Sequence, residues 1–245
     1  MDCAALNACY EVVKGGASAM ILLEGKNVAK VYENDRGLKE ASFMLQAGRI
    51  LALVGGNGAG KSTLIRLLTS QEKQQAGEII WHQPQTIRFM PDDVNFPTML
   101  TAAEILELLA SLKQVDKYEQ QNVLKRVSLW DVRKQRAKHF SKGMLQRLNL
   151  AQSLLGSGSL LILDEPTNGL DPFWIAQLKN MMLEEKEKGN TVIFSTHLLS
   201  FAEEIADDVL VLHEGKIILS GAITEIFLQE NSTSLEEIWL KRLKL

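Results

Sequence analysis

The run Gly55-Gly56-Asn57-Gly58-Ala59-Gly60-Lys61-Ser62, placed directly after Ile50-Leu51-Ala52-Leu53-Val54, narrows the possible architectures of this 245-residue chain more than any other feature. An unbroken apolar run of this kind is a strand buried on both faces, so it belongs inside a sheet covered by helices. The glycine-rich run fits G-x-x-x-x-G-K-[ST]. Glycines let successive backbone N–H groups turn inward around a phosphate with no Cβ in the way. A helix signalled by Leu64, Leu67 and Leu68 follows, and its positive end faces the same charge. In that arrangement Gly55, Asn57, Gly58, Ala59 and Gly60 line the loop. Lys61 bridges the β- and γ-phosphates, Ser62 ligates Mg²⁺, and Thr63 reaches the α-phosphate.

Strand signals return at 160–163, 191–194, 209–212 and 216–219. Helical patterns separate the first three, and the last two form a hairpin around His213-Glu214-Gly215. Strands alternating with helices imply an α/β fold with a mostly parallel sheet, here a P-loop NTPase core. Gly77–Trp81 and Thr86–Phe89 read as antiparallel strands, an antiparallel β subdomain beside that core. The stretch from about 98 to 155 reads as a helical subdomain. In it Thr101-x-x-Glu104 forms a capping box, and Ile105, Leu108, Leu109 and Leu112 form one apolar stripe. A second helix is expected from about Asp116 to Val127. A further capping box, Ser234-x-x-Glu237, opens a helix whose Leu235, Ile238, Trp239 and Leu243 pack on their own domain. Residues 1–19 carry no periodic pattern and are expected to be a flexible tail, with one domain over 20–245.

Composition excludes several function classes. A net charge of −3, with 27 basic and 30 acidic side chains, gives no footprint for a nucleic-acid partner. The cluster Arg126, Arg133, Lys134, Arg136 and Lys138 reads as a solvated face. No apolar run approaches the ~20 residues of a membrane span, and no secretory signal precedes the domain. Cys3 and Cys9 match neither a zinc site nor a disulfide framework.

Asp164 ends the apolar strand Leu160–Leu163, and Glu165 follows it. Beside a phosphate loop, a strand-end acid completes a Mg²⁺ shell, and an adjacent glutamate polarises the attacking water. Upstream lies Phe140-Ser141-Lys142-Gly143-Met144-Leu145-Gln146-Arg147, and downstream Asn168-Gly169-Leu170-Asp171. Ser141 caps a helix and Gly143 exposes backbone N–H groups, a start suited to clasping a phosphate. With these residues in place, the chain over about 20–245 resembles the ATP-binding subunit of an ATP-binding cassette (ABC) transporter. The family signature is usually L-S-G-G-Q; Lys142 and Met144 depart from it, and the S-K-G-M-x-Q-R form resembles subunits serving ABC-2 type exporters. Lys142 either adds positive charge near the phosphate or points to solvent.

The resemblance implies further roles. Tyr32 matches the aromatic residue that stacks on adenine, His197 the switch histidine at the γ-phosphate, and Asp171 the loop that crosses to a partner subunit. Asp92, in Phe89-Met90-Pro91-Asp92-Asp93, stands where the family usually has glutamine, a carboxylate that still ligates Mg²⁺ or orients water. The implied activity is ATP hydrolysis with Mg²⁺, with Glu165, His197 and Lys61 as the catalytic groups. It runs in a pair of subunits, identical or not, whose Ser141 helices serve each other's nucleotide. The implied setting is the cytoplasmic face of a membrane, beside separate transmembrane permease subunits. The alternative is a soluble ABC ATPase without transport, acting as an assembly or regulatory scaffold.

Overall fold

The computed structural model describes residues 20–33 and 35–243. The expected N-terminal tail, with Cys3 and Cys9, lies outside the described residues. In chain order the strands are β1 (Ile21–Val31), β2 (Gly37–Gln46), β3 (Ile50–Val54), β4 (Ala76–Trp81), β5 (Ile87–Met90), β6 (Leu160–Leu163), β7 (Thr191–Thr196), β8 (Asp208–His213) and β9 (Lys216–Ala222). The helices are α1 (Lys61–Leu68), α2 (Ala102–Leu112), α3 (Lys117–Arg126), α4 (Lys142–Leu154), α5 (Pro172–Glu187), α6 (Leu199–Ile205), α7 (Ile223–Glu230) and α8 (Leu235–Arg242).

Among the described residues the strands form two sheets. The larger has the order β5-β6-β7-β3-β8-β9. Its first five strands run parallel, and β9 closes it as the antiparallel half of a hairpin with β8. The smaller has the order β2-β1-β4 and is antiparallel throughout. Every residue of β3 and β6 is buried. Strand alternation divides them between two cores. Ile50, Ala52, Val54, Leu161 and Leu163 join the helical side, with Leu106, Leu148, Leu178 and Ile238. Leu51, Leu53, Leu160 and Ile162 face α1 and the small sheet, with Leu23, Leu38, Leu64 and Ile65.

This topology positions the chemistry. The adjacent strands β6, β7 and β3 are parallel, so their carboxyl ends share one edge of the sheet. The phosphate loop leaves β3, Asp164 and Glu165 follow β6, and His197 follows β7.

Two expectations are corrected. The segment at 86–89 is not an antiparallel neighbour of β4. β4 pairs with β1, while β5 runs parallel to β6 at the edge of the large sheet, with Ile87 opposite Leu160. Two short strands divided by His82–Gln85 look like a hairpin in sequence, yet the chain crosses here from one sheet to the other. The stripe on α2 is also rotated. Ala102, Ile105, Leu106 and Ala110 are buried, while Leu108 and Leu112 are 54% and 77% exposed. The Thr101 capping box itself forms in full. At α8 only half the box forms. The Glu237 N–H donates to Ser234 Oγ, while the Glu237 carboxylate accepts from the Ser232 hydroxyl. Leu235 and Ile238 of α8 are buried against their own chain. The alternation in β1 is broken by register shifts, with the neighbours Leu22 and Leu23 both buried, which hid this strand from a period-2 reading.

Candidate functional site

The phosphate loop is clamped between two strand systems. Gly215, at the β8–β9 turn, donates its N–H to the Ala59 carbonyl, and its own carbonyl accepts from the Lys39 N–H of β2. Gly60 shows why glycine is needed. Its φ is +108°, and a Cβ there would lie 2.7 Å from the Gly37 carbonyl oxygen. Asn57 and Gly58 form the exposed crest of the loop, while Gly55, Ala59, Gly60, Lys61 and Thr63 are buried and Ser62 is half-buried.

Lys61 is 6% exposed. Its ammonium donates to the Gly55 carbonyl at 2.7 Å and lies 3.1 Å from Glu165 Oε1. The other oxygen, Glu165 Oε2, is 3.0 Å from His197 Nδ1. One carboxylate therefore joins the phosphate-loop cation to the imidazole. Glu165 reaches both from a left-handed backbone (φ +47°), uncommon for a residue with a Cβ. Its N–H donates to Ser195 Oγ at 2.7 Å, and its carbonyl accepts from the Gln146 side chain at 3.3 Å.

Asp164 is buried beside it. The Ser195 hydroxyl donates to its Oδ1 at 2.5 Å, and Ser62 supplies a second hydrogen bond. Burial pushes the Asp164 carboxyl above the ordinary range; the hydroxyls of Ser195 and Ser62 oppose this, and the charges of Asp92 and Glu165 add to it. Asp92 accepts from the Asn168 side chain at 2.9 Å. Ser62, Asp164 and Asp92 thus offer hard oxygen ligands in one neighbourhood. Among the described residues no three acidic, histidine or cysteine side chains converge to hold a metal unaided. That donor set fits Mg²⁺, which takes one or two carboxylates and completes its shell with phosphate and water.

The signature residues form a second group. Ser141 caps α4, accepting from the Met144 N–H at 3.2 Å. Gly143 packs on the loop after β6, where a Cβ would lie 2.9 Å from the Gly169 carbonyl oxygen. The Lys142 side chain is exposed, and its aliphatic stem covers Gly169. Asp171 caps α5, accepting from the Trp174 N–H at 2.9 Å. Among the described residues no hydrogen bond or ion pair joins Ser141, Gly143 or Asp171 to the phosphate loop. Helix α4 is nonetheless tied to the first group: Gln146 reaches the Glu165 and Pro166 carbonyls, and Asn149 donates to the Pro91 carbonyl next to Asp92. Tyr32 stands just past β1, half-buried, with its hydroxyl on Glu72.

Sequence reasoning missed Ser195, Gln146 and Glu72. The only trace of Ser195 is a polar residue at a buried end of an apolar strand. Gln146 lies in the signature helix without a role that spacing reveals. Glu72 lies in a polar loop with no pattern at all. In the basic cluster Lys134, Arg136 and Lys138 are exposed, Arg126 pairs with Glu184, and the Arg133 guanidinium stacks 3.7 Å over the Trp130 ring.

The fold and site agree with known proteins. The family model for ABC transporters matches residues 38–168. The SkfA peptide export ATP-binding protein SkfE of Bacillus subtilis is 35% identical over 81% of this chain and 88% of its own length. An uncharacterized ABC transporter ATP-binding protein of Synechocystis is 32% identical over 84% of this chain, which spans only 64% of that relative. A solved structure of the ATP-binding subunit of an ABC transporter superimposes with a TM-score of 0.80 at 29% identity, covering 91% of this chain and 99% of that one. The phosphate loop, the carboxylate pair after β6 and the histidine after β7 thus sit in a fold shared with these proteins, and the chain belongs to the ABC transporter family as an ATP-binding subunit with the ABC ATPase fold.

Proposed function

We propose that the chain hydrolyses ATP as the motor of an exporter, working as a pair of ATP-binding subunits beneath separate membrane subunits. The observation that carries this is the Glu165 carboxylate, held 3.1 Å from Lys61 and 3.0 Å from His197. In this reading Gly55, Asn57, Gly58, Ala59 and Gly60 cradle the phosphates with Lys61, Ser62 and Thr63. Glu165 accepts the proton of the attacking water, while Lys61 and His197 stabilise charge on the transferred phosphoryl group. Ser62 and Asp164, with Asp92, hold Mg²⁺, which when bound neutralises phosphate charge. Tyr32 stacks on adenine. Ser141, Gly143 and Asp171 serve the nucleotide of the second copy, in keeping with their separation from the loop of their own chain.

Among the described residues no helix is long and apolar enough to cross a membrane; this reading assigns the crossing to separate membrane subunits. A candidate seat is the apolar groove of about 380 Å³ beside the Phe89–Asp92 loop, lined by Phe89, Val94, Phe96, Ile105 and Leu108. Exposed apolar surface of this kind marks interaction sites. The name of the SkfE relative supports export as the direction. In this reading the chain works at the cytoplasmic face of that membrane, where ATP is supplied.

Glu165→Gln tests the core of the reading. The amide keeps the shape of the carboxylate and cannot take the proton. The expected result is a stable dimer with bound ATP on size exclusion, with hydrolysis reduced at least about 100-fold. A variant that stays monomeric with ATP and hydrolyses at the wild-type rate overturns the assignment.

A further inference from the structure

Tyr32 is fixed by a contact that the phosphate chemistry does not explain. Its hydroxyl lies 2.9 Å from both carboxylate oxygens of Glu72. Two cations flank that carboxylate: Lys30 Nζ at 3.6 Å from Oε2, and Arg66 Nη1 at 3.6 Å from Oε1. The backbone of Glu72 is equally constrained. Its N–H donates at 3.2 Å to the carbonyl of Arg66, in the last turn of α1. Three residues on, Gln75 grips the end of the strand that leads into Tyr32. Its amide accepts from the Val31 N–H at 2.8 Å and donates to the Val31 carbonyl at 3.1 Å.

Helix α1 opens at Lys61 and Ser62 and ends beside Glu72. Its eight residues span about 12 Å. The hydroxyl of Tyr32 is thus tethered to the far end of the helix whose near end is the phosphate loop. A ring that stacks on a base gains nothing from its hydroxyl unless the hydroxyl holds the ring in place.

We propose that Glu72 is the positioning residue for base recognition: it pins the Tyr32 ring to α1 and so sets the spacing between the base platform and the phosphate loop. The inference rests on the stacking role proposed for Tyr32. It assigns to Glu72 no contact with the nucleotide.

Binding of ATP and of inorganic tripolyphosphate to the full chain, measured by calorimetry, separates the possibilities. Glu72→Ala and Tyr32→Phe are each expected to weaken ATP binding about three- to tenfold, the net worth of one ordinary hydrogen bond. Tripolyphosphate binding stays unchanged, because the loop is untouched. The double variant binds ATP no worse than either single one, since both remove the same interaction. Glu72→Gln, whose amide oxygen still accepts the hydroxyl, recovers most of the affinity. In steady-state hydrolysis the loss falls on KM and spares kcat. An equal loss for ATP and tripolyphosphate makes Glu72 merely structural and overturns the inference. Unchanged ATP affinity in Glu72→Ala, or additive losses in the double variant, overturn it as well. Tyr32→Ala tells the two failures apart. If it weakens ATP binding while Tyr32→Phe and Glu72→Ala do not, stacking stands and the role of Glu72 falls; if it changes nothing, the stacking role falls and takes the inference with it.

Discussion

Asp164 and Glu165 are adjacent in sequence and held in opposite ways. The Glu165 carboxylate has a cation on one oxygen and an imidazole on the other. Asp164 is met by the hydroxyls of Ser195 and Ser62 and, among the described residues, by no cation, and burial raises its affinity for a proton. Its folded-state value lies above the unfolded one, so its charge opposes folding at neutral pH, and that opposition fades as pH falls through the raised value. A site kept in this condition trades stability for function. Asp164→Asn keeps an acceptor for Ser195 and Ser62 and removes the charge. It is expected to raise the melting temperature by about 2–4 °C while cutting hydrolysis about 100-fold or more. Thermal melts and ATPase assays on the same preparation check both halves. These two acids were legible in sequence because a phosphate loop and an apolar strand predict them. Ser195 was not, because its role depends on β7 lying next to β6, which no local pattern encodes.

At the scale of elements, β5 depends on a buried ion pair to α5. The Arg88 guanidinium and the Glu185 carboxylate are both almost fully buried and hydrogen-bonded to each other. Burial pushes Glu185 up, but hydrogen bonds from Lys188, Arg88 and Asn190 and the charge of Arg88 outweigh it and hold the carboxyl at about 2. The folded value is depressed, so the stabilising contribution is present above about 4.5 and is lost as pH falls towards about 2. Glu185→Gln keeps the volume and leaves the Arg88 charge uncompensated. The expected loss is about 3 kcal/mol at pH 7, since breaking a buried pair strands its partner. Urea denaturation at pH 7 and at about pH 3 checks it, because the difference from wild type shrinks across that window. The edge strand also shows where sequence reading stops. Glycine-rich turns, caps and apolar runs located nearly every element of the large sheet. The pairing of β5 was misread because Ile87–Met90 carries no mark of which sheet it joins. The helix stripe on α2 was misread because Leu108 continues its apolar face into an exposed groove, while Leu112 is simply exposed.

At the scale of the whole molecule, the site is divided. The phosphate loop and its acids gather at the ends of β3, β6 and β7, while Ser141 and Gly143 open a helix whose contacts run to the Pro166–Asp171 loop. If each nucleotide lies between the loop of one copy and the Ser141 helix of the next, a two-fold pair holds two equivalent sites, each built from both chains. Mixing two inactive variants distinguishes this from a self-sufficient chain. Lys61→Ala removes the phosphate cation. Ser141→Ala removes the hydroxyl at the helix start, at a helix-cap cost of about 1 kcal/mol that a thermal melt accounts for. Each variant alone is expected to be nearly inactive, because both sites of its pair carry the defect. In a mixed pair, one site collects both defects and the other collects neither. Random pairing makes half the pairs mixed, and each has one intact site of two, so an equal mixture recovers about a quarter of wild-type hydrolysis per chain. A mixture no more active than its components places the whole site within one chain and removes Ser141 from the nucleotide of its neighbour.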